Sequence, residues 1–357
     1  MKNIEKKNIR SLSLDDLKFF FVKNEEKSYR ANQVYEWLWK KGVLDFGKMT
    51  NLSGKAIDLL KKNFFVDYSI IHSKVKSKDG TVKYLIKLYD GKLIESVLIP
   101  SKNRVTICVS SQVGCSLDCN FCATATLKKE RNLFFYEIYD QVNILNNQSL
   151  IIFNKPITNI VFMGMGEPLL NFSNLIRSID IISSKDGLSI SPKRITVSSA
   201  GIPKIIKKMA DMKVNFNLAI SLHSAIQKKR EMLMPFSDKI NLDELLKSLI
   251  YWYDKVRKIT TFEYIIWENI NDSLEDIEEL VKFCKKVPSK VNIIEYNDIG
   301  DKNYRSASKE KILNYQKYLD ENKITNTIRY SKGNDINAAC GQLARKPFNF
   351  LQININK

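Results

Sequence analysis

From Val105 onward the chain alternates short apolar runs with amphipathic stretches, and this rhythm constrains the fold more than any other feature. The runs are Val105–Val109, Asn159–Met163, Arg194–Ser198, Phe216–Ser221, Thr261–Ile266, Val291–Tyr296 and Thr327–Tyr330. Between them lie Phe134–Asn147, Leu175–Ser184, Ile202–Met212, Leu242–Val256, Leu274–Lys286 and Lys309–Asn322, with apolar residues at helical spacing. Parallel neighbours need a long crossover between them, and a helix is the usual one. Strand-then-helix repetition therefore predicts an α/β fold with a mostly parallel sheet. Six or so such units predict a full or partial (β/α) barrel, whose working residues gather at the C-terminal ends of the strands.

Two smaller regions precede the barrel. Residues 1–68 read as helical, with segments around Leu17–Phe21, Tyr29–Lys41 and Ser53–Asn63. Ser13 or Asp15 is placed to cap the first, and Gly42 to end the second. Tyr29, Arg30, Trp37 and Trp39 make this unit basic and aromatic, which suits either a helical core or an RNA-docking face. Residues 69–104 read as a small β extension: Ser69–Val75 and Val82–Leu88 flank the turn Lys78-Asp79-Gly80, and Leu93–Ile99 follows Asp90-Gly91. Residues 105–357 then form the barrel and a C-terminal loop.

The first barrel strand runs into Cys115-Ser116-Leu117-Asp118-Cys119-Asn120-Phe121-Cys122, three of the chain's six cysteines in eight residues. The Met1–Arg10 start is charged and carries no apolar leader core, and no apolar run is long enough to span a bilayer, so a cytoplasmic protein without membrane contact is expected. In a reducing compartment, clustered cysteines bind metal or react more often than they cross-link. Three soft ligands in one loop can hold three corners of an iron–sulfur cluster and leave one iron open. A structural zinc would want a fourth ligand, and none lies nearby at ordinary spacing. The formal charge of +18, from 57 Lys and Arg against 39 Asp and Glu, predicts attraction to a polyanion, most plausibly nucleic acid. A lysine-rich solvated surface would give the same number.

The strand ends carry further chemistry. Met163-Gly164-Met165-Gly166-Glu167-Pro168 pairs close backbone approach with a carboxylate for an amine, and Pro168 is placed to open the next helix. Ser198-Ser199-Ala200-Gly201 and Ser221-Leu222-His223-Ser224 are small, hydroxyl-rich ends, and Tyr296-Asn297 adds an amide. His223 suits either ligand contact or loop orientation. Cys340, before a glycine in a polar loop, reads as reactive; Cys108 reads on its own as a small core residue and Cys284 as helix packing. Glu95, alone in a strand, points to solvent by default.

Taken together, Val109-Ser110-Ser111-Gln112-Val113-Gly114-Cys115, the C-x3-C-x2-C run, Gly164-Met165-Gly166-Glu167-Pro168-Leu169, Ser221-Leu222-His223 and Ala338-Ala339-Cys340-Gly341-Gln342-Leu343 closely resemble the radical S-adenosylmethionine RNA methyltransferases. The branch resembled most is the dual-specificity 23S rRNA/tRNA adenine C2-methyltransferases; a related C8-methylating branch shares every cysteine named, but Val113 and Pro168 resemble the C2 branch. The resemblance implies a partial (β/α) barrel of radical SAM type with an N-terminal helical RNA-binding domain. It implies that Cys115, Cys119 and Cys122 hold a [4Fe–4S] cluster, and that Gly166, Glu167, Ser198, Ser221, Leu222, His223 and Asn297 line the S-adenosylmethionine pocket. It further implies two S-adenosylmethionine molecules per turnover, one methylating Cys340 and one cleaved to a radical that activates that methyl group. Cys108 is implied as the resolving thiol that leaves a Cys108–Cys340 disulfide, and Glu95 as proton acceptor, against its solvent-facing default. The substrates implied are 23S rRNA and tRNA, with a low-potential donor such as flavodoxin and a monomeric state.

Overall fold

The structure, a computed structural model, describes residues 6–344. Ten strands form one sheet: β1 (Ile70–Lys76), β2 (Val82–Lys87), β3 (Leu93–Pro100), β4 (Val105–Cys108), β5 (Asn159–Phe162), β6 (Ile195–Ser199), β7 (Asn217–Ser221), β8 (Thr260–Ile265), β9 (Ser289–Ile294) and β10 (Asn326–Arg329). Their order across the sheet follows their order in the chain. β1 to β4 pair antiparallel through tight turns, and from β4 to β10 every pairing is parallel. All seven barrel runs read from the sequence are strands. The central β8 is buried along its whole length, as a strand covered on both faces must be.

Helices connect the parallel strands: α4 (Phe135–Phe153), α5 (Phe172–Ser183), α6 (Pro203–Asp211), α7 (Gln227–Leu233), α8 (Leu242–Val256), α9 (Leu274–Lys285) and α10 (Lys309–Glu321). Side chains that satisfy otherwise unpaired backbone groups start α8, α9 and α10. Asn241 caps α8 by accepting from Asp243 N and Glu244 N, and Ser273 and Asp276 close a reciprocal capping box on α9. The sequence reading missed α7, because Gln227-Lys228-Lys229-Arg230-Glu231 offers no apolar periodicity. No helix among the described residues is long and apolar enough to cross a membrane.

The N-terminal region carries α1 (Leu14–Lys23), α2 (Tyr29–Tyr35) and α3 (Gly54–Asn63), and its Arg10 and Trp39 pack on α4. Arg10 is the pin. Its guanidinium donates to Asp67 O (3.0 Å) and Tyr136 O (3.3 Å), pairs with Asp140 Oδ1 (2.6 Å) and lies 4.8 Å over the Trp39 ring. Trp39 is core, and Tyr139 Oη donates to its carbonyl. Tyr29 is exposed with Arg30 beside its ring, so the basic aromatic unit divides into a buried half and a presented half.

β10 ends the sheet without pairing to β1, and the chain beyond it returns to the antiparallel strands. Gly333 N donates to Asp79 Oδ2 (3.0 Å), Ser77 Oγ to Asp335 Oδ1 (2.6 Å), Lys83 Nζ to Asn337 O (3.0 Å) and Ala344 N to Glu95 Oε2 (3.0 Å). A loop thus straps the open side of a partial barrel.

Candidate active site at the strand ends

The cysteine loop leaves β4 through a turn that only glycine fits. Gly114 has φ +78°, and a Cβ there would lie 2.4 Å from the Lys128 carbonyl oxygen. The loop then docks on α7 and the turn after it: Asn120 N donates to Leu233 O (3.1 Å), Asn120 Nδ2 to Met232 O (2.7 Å), and Phe236 N to Asp118 Oδ1 (3.0 Å). Cys115, Cys119 and Cys122 are half-buried and line one open cavity of about 950 Å³, mouth included, within the range of small-molecule sites. Burial raises all three thiols, Cys115 to about 11.

The facing wall comes from the next strands. Gly166 has φ +91° and lies against the Gln112 side chain, where a Cβ would collide at 2.4 Å. Glu167 is buried; its Oε1 accepts from Leu169 N (2.9 Å) and its Oε2 from Ala200 N (2.8 Å), so one carboxylate ties the loop after β5 to the loop after β6. Burial raises its pKa, against the pull of those donors. Pro168 opens a short 3-10 turn, Pro168–Asn171, ahead of α5. Ser198, Ser221, His223 and Asn297 also line this cavity. Leu222 does not: it is fully buried behind the wall.

His223 is both wall and brace. Its Nδ1 accepts from Ile265 N (3.2 Å), its carbonyl accepts from Asn271 Nδ2 (2.6 Å), and its ring packs on Phe121 and Trp267. Burial and the Arg230 charge lower its pKa to about 3, so it is neutral, with Nε2 the protonated nitrogen. Such a histidine hydrogen-bonds a ligand but does not shuttle protons.

Cys340, an exposed residue, lines the same cavity. Ala123 N donates to Gly341 O (2.7 Å), Thr124 Oγ1 to Leu343 O (2.7 Å), and Asn297 Nδ2 to Cys340 O (3.1 Å), so the loop after Cys122 and the loop holding Cys340 are zipped together. Cys340 also lines a second cavity of about 1290 Å³, mouth included, and there it meets Cys108. Burial raises the Cys108 thiol, and the Cys340 sulfur raises it further. Crowding by protein raises the Cys340 thiol too, while the Arg329 guanidinium pulls it down. Glu95 is not solvent-facing: it is fully buried in β3, pairs with Lys83 (3.3 Å) and accepts from Ala344 N below the Cys340 loop, although it reaches neither cavity wall.

An ion pair escaped the sequence reading. Glu263, in the middle of β8, accepts from Arg329 Nη1 (3.1 Å) and Asn292 Nδ2 (3.0 Å), which places an ion pair between the two cavities. The signal was a lone carboxylate inside a strand with no other charged residue, an expensive position when buried unless paired.

The donor set fits a cubane cluster better than a single ion. No group of three His, Cys, Asp or Glu side chains among the described residues is arranged to hold one metal ion. In a cubane each thiolate takes a different iron, so three thiols spread around one cavity are what it needs. The cavity wall also holds Tyr296, beside the Ser198 and Ser221 hydroxyls, a polar surface suited to a nucleoside.

Comparison with known proteins agrees. The model of the radical SAM superfamily matches residues 109–284, and that of the ribosomal RNA large subunit methyltransferase N-terminal domain matches residues 7–66. The "Probable dual-specificity RNA methyltransferase RlmN" of Flavobacterium psychrophilum is 55% identical over 96% of this chain and 99% of its own. The "Dual-specificity RNA methyltransferase RlmN" of Oleidesulfovibrio alaskensis is 42% identical over 94% of this chain and 95% of its own. A crystal structure of a radical SAM methyltransferase from Sphaerobacter thermophilus superposes with a TM-score of 0.88 at 32% identity, covering 94% of this chain and 99% of that one. The chain belongs to the dual-specificity RNA methyltransferases of the radical SAM superfamily.

Proposed function

We propose that this enzyme methylates C2 of adenosine 2503 of 23S rRNA and of adenosine 37 of certain tRNAs, using a [4Fe–4S] cluster and S-adenosylmethionine. The observation that carries the reading is the joining of the cysteine loop to the Cys340 loop, Ala123 N to Gly341 O, over one cavity. When bound at Cys115, Cys119 and Cys122, the cluster supplies the electron that makes radical chemistry possible at a carbon too electron-poor to attack a methylsulfonium.

The chain's own residues then divide the work. Gly166, Glu167, Ser198, Ser221, His223 and Asn297 orient S-adenosylmethionine against the cysteine loop, with Leu222 supporting that wall from behind. The Cys340 sulfur takes a methyl group and loses its proton; its methyl carbon, after loss of a hydrogen atom, forms the bond to C2. The adduct then gives up one electron, which the cluster held by the three cysteines would take back, and Glu95 accepts the proton leaving C2. The Cys108 thiolate attacks the Cys340 sulfur; the electron pair of the broken S–C bond stays on the methylene carbon, which takes up a proton to become the methyl group on C2, and a Cys108–Cys340 disulfide is left, which two electrons from a thiol reductant reopen. Their shared cavity supports that pairing. Residues 1–68 serve as the RNA-binding domain, residues 69–104 as the β extension and residues 105–357 as the catalytic barrel. The enzyme works in the cytoplasm as a monomer, with a low-potential donor such as flavodoxin.

Two variants test the scheme. Cys340→Ala still cleaves S-adenosylmethionine slowly but methylates no RNA; methylation by that variant would sink the proposal. Cys108→Ala accumulates a protein–RNA adduct on denaturing gels, and its absence removes Cys108 from the resolving role. Mass spectrometry of the product nucleoside separates C2 from C8 methylation.

A further inference from the structure

α7 does more than hold the cysteine loop. Its last turn supplies the Met232 and Leu233 carbonyls that anchor Asn120, and one turn earlier it places Arg230 inside the protein, with no solvent exposure at all. One guanidinium nitrogen, Nη2, donates to Ala200 O (2.7 Å) and Ser221 O (3.4 Å). The other two, Nε and Nη1, are buried and find no partner among the described residues. No salt bridge to Arg230 occurs among the described residues, so it stands as an uncompensated buried cation, a costly arrangement in a folded protein. Burial lowers its pKa to about 10, against the opposing pull of an ionised Cys119, which leaves it charged at neutral pH.

A polar group that is buried, charged and short of acceptors marks a place for something negative. A [4Fe–4S] core on three thiolates carries net negative charge, and reduction adds one unit more. We infer that Arg230 is the buried counter-cation of the cluster, standing behind the cavity wall at Ala200 and Ser221 with Nε and Nη1 unpartnered, and making the cluster easier to reduce. This rests on the cluster assignment above. The physical reason is direct: a fixed positive charge in a low-dielectric site favours the more negative, reduced state, and charge and hydrogen bonds at the sulfurs are among the principal levers on such potentials. Arg230 is therefore a positioning and tuning residue rather than a catalytic one. α7 sets both the place of the loop and the energy of the electron it receives.

The test is an anaerobic redox titration of the reconstituted full-length enzyme, followed by the electron paramagnetic resonance signal of the reduced cluster, with iron and sulfide measured per chain. Arg230→Gln keeps a donor for Ala200 O and removes the charge; Arg230→Lys keeps the charge. The Gln variant is expected to show at least a tenfold lower ratio of reduced to oxidised cluster at a fixed potential, equivalent to about 59 mV for one electron. The Lys variant should stay close to the parent. Loss of the cluster in the Gln variant but not in the Lys variant also supports the inference. It is overturned if the loaded Gln variant titrates with the parent, if both variants lose the cluster alike, or if only S-adenosylmethionine affinity falls while the potential holds. A parent protein that binds no cluster instead refutes the cluster assignment, separately from the role of Arg230.

Discussion

Replacing Glu167 by glutamine removes one oxygen and leaves the size of the side chain almost unchanged, so its effect is worked from two contacts. In the parent both carboxylate oxygens accept backbone N–H groups, Leu169 N at 2.9 Å and Ala200 N at 2.8 Å. In the variant one of these donors faces an amide nitrogen, which is itself a donor. A buried N–H left without an acceptor costs about 1–3 kcal/mol, and loss of charge on the surviving bond costs roughly 1 kcal/mol more. The sum, around 3 kcal/mol, acts on the link between the loops after β5 and β6. If it is all spent in displacing the loop, the binding-competent population falls on the order of 100-fold, and apparent ligand affinity falls with it. The assay is anaerobic equilibrium dialysis of cluster-loaded enzyme with S-adenosylmethionine and, in parallel, with methylthioadenosine, which lacks the amino-acid end. Both ligands should weaken together. Loss confined to S-adenosylmethionine would refute the reasoning and assign Glu167 to the ligand's ammonium group alone, and unchanged affinity with unchanged Tm would refute it outright.

Further expectations concern acid stability, the cysteine turn and the strap. The His223 pKa is held near 3 against an ordinary 6.5, so the folded state resists its protonation. Its stabilising contribution is complete above pH 6.5 and is lost as pH falls toward 3, at about 1.4 kcal/mol per pH unit. Urea melts at pH 7.5 and 5.5 should show this slope in the parent and a shallower one in His223→Asn, which keeps an acceptor for Ile265 N. Gly114→Ala drives a methyl group into the Lys128 carbonyl at a left-handed position, so iron content per chain after reconstitution should fall severalfold while far-UV circular dichroism holds. Asp335→Ala removes the Ser77 and Lys78 contacts, about 1–2 kcal/mol together; the urea midpoint should fall accordingly, with cluster content unchanged.

The sheet was legible because each barrel strand is an apolar run bounded by polar turns, and strand order then follows from short right-handed crossovers. The cavity was legible where glycines, hydroxyls and thiols stand at strand ends. Charge inside the barrel was not. Glu263 and Arg329 are 66 residues apart, and Arg230 sits in a run of lysines that reads as solvated surface. Nothing local distinguishes a buried arginine from its exposed neighbours, because the distinction is made by α7 packing beneath the cysteine loop. Leu222 shows the converse: its motif lies at the site, but strand alternation turns its side chain into the core.

The strap over the open side of the barrel has a consequence for how the enzyme is made. Its contacts join residues 257 and 258 positions apart, Asp335 to Ser77 and Lys78, among the longest-range pairings in the chain. Such contacts form late, because a long intervening chain must be ordered before they are rewarded. On a ribosome the cysteine loop emerges well before Cys340, and the carrier thiol reaches its post only when the loop after the last strand and the first hairpin have met. A nascent or truncated chain thus assembles its iron-binding half without the part that commits a carbon to RNA, and completion of synthesis becomes the licence for chemistry.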